Sequence, residues 1–164
     1  MKIICLILAR CGSKGIPNKN IVEINGNPLL YYTANASFNS NVNETWVSTD
    51  CDEIKKVALD LGCKVIDRPI EISGDNSKSD EALVHFAENV DFDILVFIQP
   101  TSPLLKSSDI NKGLQKMQNH DSVFSVTKEH WIPRWNKNGQ PINWDINNRP
   151  MRQDASETLS LIHI

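Results

Sequence analysis

The chain lacks a basic block, a long apolar run and any excess of glycine or proline, and each gap removes a class of protein. With 17 Lys and Arg against 20 Asp and Glu, the formal charge is −3. A surface that tracks a nucleic-acid backbone by charge is therefore not expected. The longest apolar run, Ile3–Ala9, falls far short of the ~20 residues that a spanning helix needs. Arg10 follows that run where a secretory signal would place a small residue for cleavage. Only 7 Gly and 8 Pro occur among 164 residues, so collagen-like and disordered readings fall away. The four cysteines form no CxxC pair and no paired histidines accompany them, which leaves zinc little support. Reduced thiols are expected, with Cys5 as a small core hydrophobe and none as a nucleophile. What remains is a soluble, cytoplasmic domain that binds neither nucleic acid nor membrane.

What is present alternates. The continuous β-branched and apolar run Lys2–Ala9 reads as a strand buried on both faces. Pro28–Phe38 reads as a helix with proline in its first turn. Thr45–Ser48 is a second strand, and Thr49-Asp50 supplies a cap for a helix over Asp52–Leu61 that stops at Gly62. Cys63–Ile66 is a third strand, Asp80–Asn89 a helix and Asp93–Gln99 a fourth, fully buried strand. Ser107–Gln118 is an amphipathic helix behind a Ser-Ser-Asp cap, and Ser122–Val126 a fifth strand. Strands that alternate with helices of ~10 residues imply right-handed crossovers. The expected fold is α/β, a mostly parallel Rossmann-like sheet with helices on both faces. His130–Pro150 departs from this pattern, with three of the four Trp and no helical period. It reads equally well as an extended arm or as an irregular surface segment.

Open α/β sheets bind ligands at the carboxyl ends of their strands, so the polar residues there are the candidates. The first strand is followed by three cations, Arg10, Lys14 and Lys19, with Gly12, Ser13 and Gly15 between them. Backbone amides freed at the glycines, together with the cations, would cradle several phosphate oxygens. This is neither a P-loop nor a dinucleotide fingerprint, because both GK[ST] and GxGxxG are absent. A solvated basic turn stays open as the alternative. Of only five arginines, Arg10 and Arg68 each follow an expected strand, where a guanidinium fork suits phosphate or carboxylate. Gln99 ends the fourth strand before a rigid Pro-Thr-Ser-Pro turn. Its amide could read a base or sugar edge, or simply cap that turn.

The segments LARCGSKGIPNKN (Leu8–Asn20) and FIQPTSPL (Phe97–Leu104) resemble the N-acylneuraminate cytidylyltransferases. VSTD (Val47–Asp50), DRP (Asp67–Pro69), SGDNSKSD (Ser73–Asp80) and RQD (Arg152–Asp154) stand in the family's order, so the resemblance covers residues 2–158. It implies a nucleotidyltransferase of the nucleotide-diphospho-sugar type. Such an enzyme transfers CMP from CTP to an acidic nine-carbon sugar, of N-acylneuraminate or legionaminate type, and releases pyrophosphate with Mg²⁺. Arg10 and Lys19 are then expected as the catalytic cations on the triphosphate. Gly12, Ser13, Lys14, Asn20, Arg68, Ser77, Ser79 and Gln99 are expected to bind the nucleotide. Gln99, Arg149, Arg152 and Gln153 are expected on the sugar.

The same resemblance implies a homodimer, with an arm at about 128–150 as the contact. Relatives carry a denser arginine cluster where Met151 stands here. They also continue for several tens of residues, and their Mg²⁺-binding aspartates lie in that continuation, so no metal ligand is assigned in this chain. One incomplete nucleotidyltransferase domain over residues 1–158 is therefore expected, with 159–164 a non-native tail. A Kdo-type cytidylyltransferase is the second reading. A nucleotide-binding fragment without turnover is the third.

Overall fold

The computed structural model describes residues 1–129, 134–143, 145–148 and 158–161. They fall into two compact units, one built on Met1–Val123 and the other on Phe124–Ile162. The first begins with β1 (Ile3–Leu8) and a small hairpin of β2 (Glu23–Ile24) and β3 (Asn27–Pro28). Next come α1 (Leu29–Phe38), β4 (Glu44–Thr49), α2 (Asp52–Asp60) and β5 (Lys64–Asp67). It closes with α3 (Ser79–Asn89), β6 (Ile94–Ile98) and α4 (Ser107–Lys116).

Strands β1, β4, β5 and β6 form one parallel sheet in the order β5-β4-β1-β6. The chain winds outward from β1 through β4 to β5, then returns by way of α3 to the other side of β1. That reversal makes the carboxyl end of β1 the switch point, where adjacent connections diverge and leave a crevice.

Alternation along β1 sorts the core into two layers, as a period of two requires. Cys5, Ile7 and Ala9 pack with Leu30 and Ala34 of α1, Ile54 and Ala58 of α2 and Ile110 of α4. Ile4 and Leu6 take the opposite face against Phe86 of α3. Phe86 is fully buried and meets Trp46 edge-on at 5.5 Å and Phe92 in a stack at 5.9 Å. The expected α/β fold, parallel and covered on both faces, is therefore the fold observed.

Local chemistry sets the boundaries. Pro28, at φ −63°, stands immediately before α1. After α2 the chain turns at Gly62, φ +89°, whose N–H donates to Leu59 while that of Cys63 donates to Ala58. Those two bonds satisfy the last carbonyls of the helix in a Schellman arrangement, which favours glycine at the left-handed position. Helix α4 stops two residues before its expected end and tightens into a 3₁₀ turn at Met117–Asn119.

Two expectations need correction. Asp50 does not cap α2; the residue before the helix is Cys51, without a side-chain cap. Nor does Ser122–Val126 add a fifth strand to the sheet. The strand there is β7 (Val126–Glu129), paired antiparallel with β8 (Thr158–Leu161) in the second unit. A short apolar run carries no record of its partner, and here the partner lies about thirty residues further along. The second unit also holds bridges between Trp135 and Pro141 and between Asp145 and Asn148. Among the described residues, no helix is long and apolar enough to cross a membrane.

Candidate functional site

Because all four sheet strands run the same way, the residues that follow β1, β5 and β6 emerge on one edge. A cavity of about 430 Å³ lies there. Arg10, Ser13, Lys14, Lys19 and Asn20 line it from the loop after β1, and Arg68 from the end of β5. Ser77, Lys78 and Ser79 come from the approach to α3, and Gln99 from the end of β6. Leu8, Ile72 and Phe97 supply apolar wall. Among the described residues, every charged side chain lining the cavity is a cation: Arg10, Lys14, Lys19, Arg68 and Lys78. Such a concentration of one sign in a concave site attracts a multiply charged anion.

The loop after β1 is shaped by residues that reach into it from elsewhere. The Cys11 N–H donates to Asp50 Oδ1 at 2.8 Å, and the Asn20 side-chain amide donates to the Arg10 carbonyl at 3.0 Å. Ala9 N–H donates to the Ser48 carbonyl at 3.0 Å. Gly12 lies at φ +70° and Asn18 at φ +51°, both left-handed. Gly12 does not line the cavity itself. Its contribution is the turn that lets the residues on either side do so.

Arg68 is 8% exposed. Its Nε–H donates to Ser48 Oγ at 3.0 Å and its Nη2–H to the Ser48 carbonyl at 2.6 Å. Burial pulls its pKa down, Asp50 pushes it back up, and Arg10 adds a smaller downward pull. Arg10 donates to the Cys11 carbonyl at 3.3 Å and to Asp75 Oδ1 at 3.0 Å. Lys14 Nζ lies 2.7 Å from Asp75 Oδ2. Lys14 first and Arg10 second hold the Asp75 carboxyl below its ordinary pKa. Gln99 Oε1 accepts from the Thr101 hydroxyl at 3.3 Å, so its amide both faces the cavity and braces the turn.

The Cys11 thiol, at the foot of the loop, is not a ready nucleophile. A hydrogen bond with Cys51, helped by burial, pushes Cys11 up to about 11, so it is protonated at neutral pH. Among the described residues there is no group of three or more His, Cys, Asp or Glu that could hold a metal ion. Both oxygens of Asp75 are committed to Arg10 and Lys14. The described residues therefore do not fit a resident divalent cation.

Of the residues singled out in the sequence, Arg10, Ser13, Lys14, Lys19, Asn20, Arg68, Ser77, Ser79 and Gln99 come together round this cavity. Arg149, Arg152 and Gln153 lie outside the described residues. Three residues had no site role from the sequence: Lys78 in the lining, Asp75 on the two loop cations, and Asp50 beneath the loop. Asp50 could have been found by the rule that exposed Arg10 and Arg68, since it too follows a strand. Its position just ahead of a helix made a cap the nearer reading.

A parallel open sheet with a cationic cavity at its switch point defines an open α/β protein with its candidate ligand site where such folds place one. The Cytidylyltransferase family model matches residues 4–157, and the chain belongs to that family. It is 43% identical to N-acylneuraminate cytidylyltransferase B of Danio rerio, over 91% of this chain and 37% of that protein. It is 36% identical to the N-acylneuraminate cytidylyltransferase of Streptococcus agalactiae serotype V, over 79% of this chain and 33% of that one. The chain thus spans under two-fifths of the length of these curated relatives. Among solved structures, a CMP:2-keto-3-deoxy-manno-octonic acid synthetase complexed with CTP superimposes with a TM-score of 0.73. That match has 20% identity and covers 99% of this chain and 72% of the other. A 4-diphosphocytidyl-2C-methyl-D-erythritol synthase gives 0.65 at 15% identity, over 98% and 72%. At such identities these two likenesses establish the fold alone.

Proposed function

We propose that the protein transfers CMP from CTP to an acidic nine-carbon sugar of the acylneuraminate type, with release of pyrophosphate. The observation that carries this reading is the convergence of five cations on one cavity at the switch point. The activity for which the relatives at 36–43% identity are named supports the choice of nucleotide and acceptor.

In this reading the triphosphate lies along Arg10, Lys14 and Lys19, with the loop amides opened by Gly12 beside it. The anomeric hydroxyl oxygen attacks the α-phosphorus in line and gives up its proton to solvent, while the bond from that phosphorus to the bridging oxygen breaks and charge develops toward the departing pyrophosphate. A fixed set of cations that meets this charge accelerates the step without any proton transfer of its own. Arg68, held by Ser48 and needing no reorganisation, presents its remaining donors to the nucleotide. Ser77 and Ser79 add hydroxyls, and Gln99 stands where nucleotide and sugar meet. Arg149, Arg152 and Gln153 are the proposed partners of the sugar carboxylate, for which a guanidinium fork is suited. Mg²⁺ and a homodimeric assembly are proposed for the protein as a whole, as the motif resemblance implies.

Titration calorimetry of CTP, UTP and ATP against this chain tests the nucleotide half of the reading. Selective heat for CTP is the expected result. Equal binding of all three, or of none, removes it. Pyrophosphate release from CTP with N-acetylneuraminate, set against release with Kdo, then tests the acceptor.

A further inference from the structure

The role of Asp75 is not accounted for by the fold. It lies in the exposed stretch between the 3₁₀ turn Ile70–Ile72 and α3, and it packs into no core. Yet its carboxylate spans two cations of the loop after β1, more than sixty residues earlier in the chain. One oxygen meets Arg10 at 3.0 Å and the other meets Lys14 at 2.7 Å. Arg10 and Lys14 both line the cavity, and the described residues of its lining include no acid. Lys19 and Lys78, also in the lining, form no ion pair among the described residues. One carboxylate thus holds two of the cations that the proposed function gives to the triphosphate. It does so as an anionic ligand would, one oxygen per donor.

We propose that Asp75 is an internal counter-anion, occupying Arg10 and Lys14 in the empty protein and yielding them only to a polyphosphate. The inference rests on the nucleotide reading above. An exposed ion pair of this kind is weak, so a triphosphate that offers several oxygens to the same donors displaces it. A single inorganic phosphate offers little more than the carboxylate already supplies. Asp75 thereby makes the site specific for polyphosphate against the phosphate present in any cell. When pyrophosphate departs, the carboxylate returns to the same two cations.

Asp75→Asn keeps the size of the side chain and removes its charge. At low ionic strength, calorimetry is expected to show CTP binding about threefold to tenfold more tightly to the variant, the range that two exposed ion pairs allow. Millimolar inorganic phosphate is expected to compete with CTP in the variant and to leave the wild-type chain unaffected. A merely structural Asp75 gives the opposite sign, weaker CTP binding and no new sensitivity to phosphate. Unchanged or weakened CTP affinity in the variant overturns the inference and leaves the nucleotide reading standing. Failure of CTP to bind either protein overturns both. A second readout needs no variant. The Asp75 carboxyl carbon resonance of the wild-type chain is expected to shift when pyrophosphate is added, and a resonance that stays in place while pyrophosphate binds overturns the inference.

Discussion

The Asp50 carboxylate accepts a 2.8 Å hydrogen bond from the Cys11 N–H, so the residue that follows β4 fixes the loop that leaves β1. The bond is charge-assisted and half-buried, and its loss leaves one loop amide without a partner. Asp50→Ala is expected to cost about 1–2 kcal/mol of stability. That corresponds to about 2–8 °C in Tm for a chain of this size. CTP affinity is expected to fall about tenfold, because the same loop carries Arg10 and Lys14. Scanning calorimetry and CTP titration check the two halves. Asn at this position keeps an acceptor and should recover much of both.

Backbone strain makes a second, sharper contrast within the same loop. Gly12 lies at φ +70°, while Gly15 has no such angle and nothing within 4 Å of where a Cβ would stand. Gly12→Ala would place its Cβ at an ordinary 3.8 Å from Arg10, so its cost is conformational rather than steric. A loss of about 1 kcal/mol or more is expected there. Gly15→Ala should fall within about 0.5 kcal/mol of wild type. Denaturant midpoints of the two variants decide it, and equal losses would remove the assigned role of Gly12.

Much of this was legible in the residues. The run Lys2–Ala9 read as a strand covered on both faces, because it is β-branched and apolar without alternation and ends at a polar, glycine-containing loop. The cations beyond it could be placed by the strand-end rule from the sequence alone. What the sequence left unread was non-local. The carboxylate of Asp50 could cap the helix beside it or reach across to Cys11, and only the packing of β4 against β1 decides between them. Asp75 looked like one acid in a polar stretch, since its meaning depends on two cations over sixty positions away. The partner of Val126–Glu129 was unreadable for the same reason. Periodicity reports which face of a strand is buried and is silent on which strand lies beside it.

Burial of Cys5 makes a prediction about alkaline pH. Desolvation in the core pushes its thiol from an ordinary 9.0 up to about 12, and Cys63, also buried, rises to about 11. Between pH 9 and those values the unfolded chain ionises these thiols while the folded chain keeps them protonated. The folded state then binds more protons, so stability falls as pH rises above about 9. Each thiol contributes a slope of about 1.4 kcal/mol per pH unit within its window. Urea denaturation from pH 8 to 10.5 should show this decline, and Cys5→Ala should show a shallower one. The comparison is between slopes, because the cavity left by the smaller side chain lowers every point alike. Identical slopes would mean that the Cys5 thiol is not raised.

Arg68 and Ser48 form the most demanding test of the site. The guanidinium uses Nε to reach the Ser48 hydroxyl at 3.0 Å and Nη2 to reach its carbonyl at 2.6 Å. A lysine ammonium has no planar fork and must reach both Ser48 oxygens from a single nitrogen, while carrying the same charge into the same buried place. Arg68→Lys is therefore expected to lose about 1–3 kcal/mol of stability. CTP affinity should fall by more than tenfold even though net charge is preserved. Ser48→Ala removes only the hydroxyl acceptor and should cost about 1 kcal/mol. Its effect on CTP should be smaller, since the carbonyl still orients the guanidinium. Combined in one chain, the two changes should cost less than their sum, because the lost hydroxyl contact is counted in both. Strict additivity in that cycle would mean that the Ser48 hydroxyl does not orient Arg68, and the guanidinium would then owe its position to the Ser48 carbonyl.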